Sequence, residues 1–368
     1  MGKLTGHLGV SALLLLALTA CSAVPGPSAA TPSPTSAAAA TGALPFAQMS
    51  PRASLHIGLP EGNTAYVVLY AALDRGYFDE AGLDVTVDHF RGSVTTQMPR
   101  LSTGDLDFLP APPSPALFNQ VQQGFGVKLV AGMDQANVDQ PVSGWLMLLP
   151  DQKDSIKDYA DLKGKTIEGA VQGSPIDVFT HAAIASGNLE AGRDVTIKYD
   201  VKGDPSDFLN IARNHVVDAM VVPSPLWPPV EQQGYASRWK SAEEIAPWYQ
   251  TNGLGFSSKA LESNRAAVVT FLKVFVYTAR QINQTHGQWT DDLVDSAVKW
   301  SFGTNTPEQV RGAGGVTTYD PNATLMLDSL HRTQNLWIEE GLVKAAVADA
   351  DLIDTSPLDE ALAQLGKQ

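Results

Sequence analysis

From Ser54 onward, short apolar runs alternate with longer amphipathic ones. Leu55-His56-Ile57-Gly58-Leu59 reads as a buried strand, Glu61-Gly62-Asn63 as a turn, and residues 64–75 as an almost wholly apolar helix closed by Gly76. Residues 84–88 alternate as a strand does, a helix follows around 95–103, and 106–109, 127–132 and 145–149 are further apolar strands. The same alternation returns with strands at 165–171, 195–199 and 219–222 and helices at 174–186 and 204–214. A long helix is expected over 264–283; Arg265, Lys273 and Arg280 interrupt its apolar faces, so it packs inside the protein rather than crossing a membrane. The last third reads as helical, at 291–300, 307–313, 323–340 and from 356 onward. Strands alternating with helices predict parallel sheets covered on both faces.

Three helix starts use one device: Ser114-Pro115, Ser174-Pro175 and Ser224-Pro225 each follow an apolar strand. Each offers a capping hydroxyl and then a proline whose φ suits the first helical turn. Free N–H groups at such helix starts, lying at the carboxyl ends of parallel strands, make a site for an anion or a polar ligand. A capping serine alone is ordinary; three spread over both halves of the chain point to a cleft.

The first fifty residues have another character. Lys3 and His7 precede an apolar stretch, residues 8–20, that is short for a bilayer span and reads as a secretory signal. It ends in Leu18-Thr19-Ala20-Cys21, which resembles the lipobox of bacterial lipoproteins, and Cys21 is the sole cysteine of the chain. The resemblance implies that Cys21 is lipidated and heads the mature chain. Residues 22–50 carry no charge and are mostly Ala, Pro, Ser and Thr, a composition too poor in apolar area to repay its ordering entropy, so 21–53 is expected to be a lipidated, disordered tether.

Composition narrows the classes further. With 368 residues, 44% of them hydrophobic, the chain has enough apolar material for one large or two medium domains. A net charge of −14 disfavours binding to nucleic-acid phosphates, and one cysteine excludes a disulfide framework or a thiolate metal cluster. Catalytic motifs are near misses: Gly164-Lys165-Thr166 ends like a phosphate loop, but Tyr159 stands where its first glycine is required. No zinc helix or nucleophile elbow occurs, and His56 and His89 could meet on adjacent strands but read more simply as packed histidines. Asp107 and Asp218, set in apolar strands, should find hydrogen-bond donors near strand ends and serve structure. No cofactor and no metal are expected.

Several segments resemble the extracytoplasmic solute-binding proteins of ABC importers, in the branch serving nitrate, sulfonates such as taurine, and thiamine-precursor pyrimidines. The residues that carry the likeness are Gly76-Tyr77-Phe78 with Gly82-Leu83-Asp84-Val85, Gly104-Asp105-Leu106-Asp107, Asp161-Leu162-Lys163-Gly164-Lys165 and Val217-Asp218-Ala219-Met220 followed by Pro225. Their order and spacing cover roughly residues 54–341. The resemblance implies an α/β, two-lobed periplasmic-binding-protein-like fold of type II, each lobe a mainly parallel sheet flanked by helices, with the ligand cleft between. Lobe I is expected to use 54–144 and 252–368, lobe II 145–251, and the signal peptide 1–20. The implied function is capture of a small organic anion (sulfonate, taurine or nitrate-like) and delivery to an ABC permease and its ATPase, by a monomer on the extracytoplasmic membrane face that performs no catalysis. A heterocycle such as a thiamine-precursor pyrimidine is the alternative cargo. The rival classes are a pyrimidine-synthesising enzyme of the same fold, whose relatives use histidine- and cysteine-rich motifs absent here, and a sensor whose ligand is never imported.

Candidate ligand residues come from the loops after strands: Asn63, Thr64, Arg91, Gly92, Ser93, Pro112 and Ser114 in the first lobe, Gly173, Ser174, Ser224 and Trp227 in the second, and Asn252 where the chain crosses back. Arg91 would serve as the counter-ion of an anionic cargo through its bidentate fork, or else stand as a surface charge. Trp227 could stack on a flat ligand or pack beneath the second lobe.

Overall fold

A computed structural model of the protein describes residues 43–202, 204 and 206–368. The expected signal peptide, Cys21 and most of the tether lie outside the described residues.

Among those residues the strands form two five-stranded sheets. The first contains β1 (Ala53–Pro60), β2 (Leu83–Phe90), β3 (Phe108–Ala111), β4 (Val127–Gly132) and a late strand, β10 (Gly253–Ser257), in the order β2-β1-β3-β10-β4. The second contains β5 (Gly144–Leu148), β6 (Thr166–Glu168), β7 (Thr196–Lys198), β8 (Ala219–Pro223) and β9 (Ser237–Ser241), in the order β7-β6-β8-β5-β9. Helices flank both, as the resemblance implies.

Each sheet is parallel except for one strand in its fourth position. β10 runs antiparallel to β3 and β4, and β5 runs antiparallel to β8 and β9. The cause is the route of the chain. β5 and β10 are the strands on which it enters a sheet after leaving the other. It arrives from the side where the parallel strands end and must run away from that side. The register agrees: Gly253 opens β10 opposite Ala111 and Gly132, which close β3 and β4, and Gly144 opens β5 opposite Pro223, which closes β8.

The core holds the sheets against long helices. Arg265–Asn283 buries most of its apolar side chains, and Phe271 packs between Phe78, Phe108 and Phe256 with ring centroids 4.6–5.4 Å apart. No described helix is long and apolar enough to cross a membrane. Gly76 takes φ +72 behind Val67–Asp74, a left-handed position that glycine reaches without a Cβ penalty. Asp107 and Asp218 play matching parts: each accepts a backbone N–H from the neighbouring strand, His56 at 2.8 Å and Thr166 at 2.7 Å.

The structure departs from the sequence reading in several places. Residues 43–52, assigned above to the tether, lie against the body: Leu44, Phe46 and Met49 pack on the core, and the Leu44 amide donates to Glu80. Three apolar side chains at the end of an otherwise bland segment suffice to dock it. The strand expected over 165–171 stops at Glu168, because Ala170 takes φ 63 and turns the chain. The expected helix over 323–340 begins only at Leu327, since Asp320 accepts the amides of Asn322 and Thr324 and holds a turn there. β9 and β10 were not expected. His56 and His89 are apart: His56 meets Asp88 at 3.0 Å, while His89 packs on Trp300 and Phe302.

Candidate functional site

Two segments carry the chain between the sheets, 133–143 outward and 242–252 back, and the site is built where they run side by side. Asp134 lies on the first, two residues past β4, and is 5% exposed. Its carboxylate accepts the backbone N–H of Asn252 at 3.1 Å, the Asn252 side-chain amide at 2.9 Å and the Thr251 hydroxyl. Asn252 in turn accepts the Tyr66 hydroxyl at 3.2 Å, which ties in the loop after β1. Burial pushes the Asp134 carboxyl above its ordinary range, and the bonds from Asn252 and Thr251 pull against that shift. Burial also raises the Tyr66 phenol, with the nearby Asp134 charge acting in the same direction.

A second carboxylate laces the far end of the same crossing. Glu243, 1% exposed, accepts the amides of Val142 at 2.9 Å and Ser143 at 2.7 Å through Oε1. Its Oε2 and the hydroxyl of Tyr249 are buried without a hydrogen-bond partner among the described residues.

Around these groups lies a cavity of about 520 Å3, within the range that takes small organic ligands. Its walls come from the ends of the parallel strands of both sheets and from the two crossings. Tyr66, Phe179, Phe208 and Tyr249 contribute aromatic surface, and Pro112, Pro175, Pro223 and Pro225 stiffen the loops. Four carboxylates line it, Glu61, Asp134, Asp204 and Glu243, against the single guanidinium of Arg91; no lysine or histidine does among the described residues. No group of three or more His, Cys, Asp or Glu side chains there is arranged to hold a metal ion.

Nine of the twelve ligand candidates from the sequence line this cavity: Asn63, Thr64, Arg91, Gly92, Ser93, Pro112, Ser174, Ser224 and Asn252. Three do not. Ser114 is fully buried and caps its helix through Leu117 at 3.4 Å. Gly173 donates its amide to Asp177 at 2.8 Å and sits against the ring of Pro115. Trp227 donates its indole N–H to the Ala313 carbonyl at 3.1 Å and packs with Trp145 beneath Arg238, so it is a packing residue. Of the three Ser-Pro helix starts, only Ser174 both caps a helix and lines the cavity. Ser224 caps nothing; its hydroxyl donates to Ala313, and the helix there begins at Trp227. Arg91 is occupied: its Nε donates to Glu61 at 2.8 Å, and its side chain is 73% exposed at the rim.

Asp134, Glu243, Tyr66 and Tyr249 were missed. Asp134 follows β4 directly, so the rule that selected the other strand-end loops would have reached it. Glu243 is hidden inside Ser241-Ala242-Glu243-Glu244, a capping box in which Glu244 does the capping. Nothing in the local sequence of Tyr249 marks it.

The family model described as NMT1/THI5 like matches residues 63–280. The chain belongs to this family. No curated protein matches the sequence. Among solved structures, the fold is shared with the aliphatic sulphonate binding protein SsuA of Escherichia coli (18% identity, 83% of this chain and 92% of that one, TM-score 0.63). It is shared equally with the nitrate-binding protein NrtA of Synechocystis PCC 6803 (14% identity, 86% and 90%, TM-score 0.65). The desulfurization enzyme DszB also has it (15% identity, 85% and 100%, TM-score 0.56). The architecture is therefore that of extracytoplasmic binding proteins of ABC importers, and an enzyme has also been built on it.

The wall of the cavity carries a pH-sensitive support. Glu168 is fully buried and accepts the amides of Ala170 and Asp200 at 3.1 and 2.9 Å, joining the loop after β6 to the one after β7. Burial pushes its carboxyl up to about 7. Between its ordinary 4.5 and that value the folded chain holds a proton that the unfolded chain has released, so stability falls as pH rises through the window. Asp177, raised by burial to about 7, acts in the same direction, and His181, lowered by burial to about 4, acts in the opposite one. Glu168→Gln removes one contribution and keeps an acceptor for the amides. Urea unfolding at pH 5 and pH 7.5 should show a smaller loss of stability with rising pH in the variant than in the wild type; parallel losses would refute this assignment.

Proposed function

We propose that this protein is the substrate-binding component of an ABC-type importer, held at the extracytoplasmic face of a bacterial membrane by a lipid on Cys21. The observation that carries the reading is a ligand-sized cavity walled by residues from both sheets and, among the described residues, by the two chain crossings that join them. A ligand touching both walls would draw the sheets together about those crossings, the hinge mode of switching. The closed form alone would then offer matched rims from both lobes, 54–144 with 252–368 and 145–251, to the permease. The family membership and the binding-protein neighbours support the transport role. Cargo chemistry is a separate matter: Arg91, the counter-ion proposed for an anion, is engaged by Glu61, and a heterocycle needs no such partner.

The enzymatic reading has one neighbour in its favour, DszB. It is separated from capture by incubating the protein with a cell-free metabolite extract and analysing what native mass spectrometry finds retained. Capture returns the retained molecule chemically unchanged after denaturation; release of a transformed product would show an enzyme instead.

The anchor has its own test. Expressed in full length in a bacterial host, the wild type should sediment with membranes and enter solution only with detergent, whereas Cys21→Ser should be released without it. A wild type that fractionates like the variant would disprove lipidation at Cys21.

A further inference from the structure

We infer that the cavity is built for a compact organic cation with an apolar body, its protonated nitrogen facing Glu243 of the returning crossing, with the Asp134 charge at the other end of the same passage. The inference rests on the binding-protein reading and concerns the cargo of that same cavity.

Charge is the first observation. Glu61 at the mouth is already matched by Arg91, and Asp204 lies exposed, which leaves Asp134 and Glu243 as the deep charges. Both are at least nineteen-twentieths buried, and neither has a cationic side chain within ion-pairing distance among the described residues. Asp134 is held by a hydroxyl and two amide groups, and Glu243 by two backbone amides. Neutral donors offset only part of the cost of keeping a carboxylate out of water.

The second observation is independent of charge. Glu243 Oε2 and the Tyr249 hydroxyl are buried with no partner, on two residues that both line the cavity. Buried polar atoms are nearly always satisfied, and an unpaired carboxylate oxygen is among the costlier exceptions. An ammonium or amidinium group reaching either atom on closure of the cavity would supply what it lacks, since it carries positive charge and several N–H donors and the phenol can accept one of them.

An anion would face the reverse. With the one lining guanidinium among the described residues drawn to Glu61 at the exposed rim, and two buried carboxylates, a sulfonate would meet repulsion that the low dielectric of a closed cavity strengthens. The aromatic wall of Tyr66, Phe179, Phe208 and Tyr249 suits the body of an organic cation and adds attraction to positive charge over ring faces. The net charge of −14 would draw a cation in and repel an anion.

The competing explanation is that Asp134 and Glu243 only lace the crossings together. Three probes of one shape separate the two: benzamidinium, neutral benzamide and benzenesulfonate, titrated against the full chain by thermal shift and calorimetry. Benzamidinium should raise the melting temperature in a saturable way, benzamide less, and benzenesulfonate not at all. Glu243→Gln, which keeps an oxygen for the Val142 and Ser143 amides, should weaken benzamidinium at least tenfold; if it fails to fold, Asp134→Asn is read in its place. The inference is overturned if benzamidinium gives no shift, if benzenesulfonate stabilises as well or better, or if the foldable variant binds benzamidinium like the wild type. Binding of the sulfonate would leave the capture reading standing with a different cargo, while that reading falls only to chemical turnover.

Discussion

A buried carboxylate at the passage between two sheets organises this molecule. Asp134 stands on the outgoing crossing and takes its hydrogen bonds from Thr251 and Asn252 on the returning one. Each such bond to a charged acceptor contributes about 1.5–3 kcal/mol, and loss of a donor leaves a charge stranded in the interior. The crossings are thereby held side by side by polar contacts, beside the buried apolar side chains of Met133, Ile245, Ala246 and Tyr249. Tyr66 extends the network to the loop after β1, so the crossings and the lining of the cavity share the same residues.

The antiparallel strands follow from this passage. Because β5 and β10 begin where the crossings end, both sheets present their parallel strand ends, and the loops beyond them, to the same space. Cavity-lining residues therefore come from both halves of the sequence without any long loop being needed. The lining that results is apolar and aromatic over most of its area and acidic at depth, with its one guanidinium already paired at the rim. Fold and lining thus point to a binding cleft whose chemistry differs from that suggested by Arg91 alone.

Much of the architecture was legible from periodicity. Strands such as Val127–Gly132 and helices such as Pro175–Ser186 carry their burial in local alternation and capping, and the strand-end loops placed nine ligand candidates on the cavity wall. What failed was long-range. Ser114, Gly173 and Trp227 look like cleft residues in isolation, and only the approach of Pro115, Asp177 and Ala313 turns them to other work. Arg91 looked free because its partner, Glu61, is thirty residues away. Glu243 and Tyr249 acquire meaning only when the return crossing is laid beside the outgoing one. β9 escaped notice because Arg238-Trp239-Lys240 is a polar, edge-like sequence, and β10 because its glycines weaken the strand signal.

The central claim is that two sheets close on a ligand about crossings laced by Asp134. Small-angle scattering of the full chain, with and without saturating benzamidinium, addresses it directly. The account predicts a fall in the radius of gyration on binding and loss of that response in Asp134→Asn. A radius unchanged at saturation would contradict it.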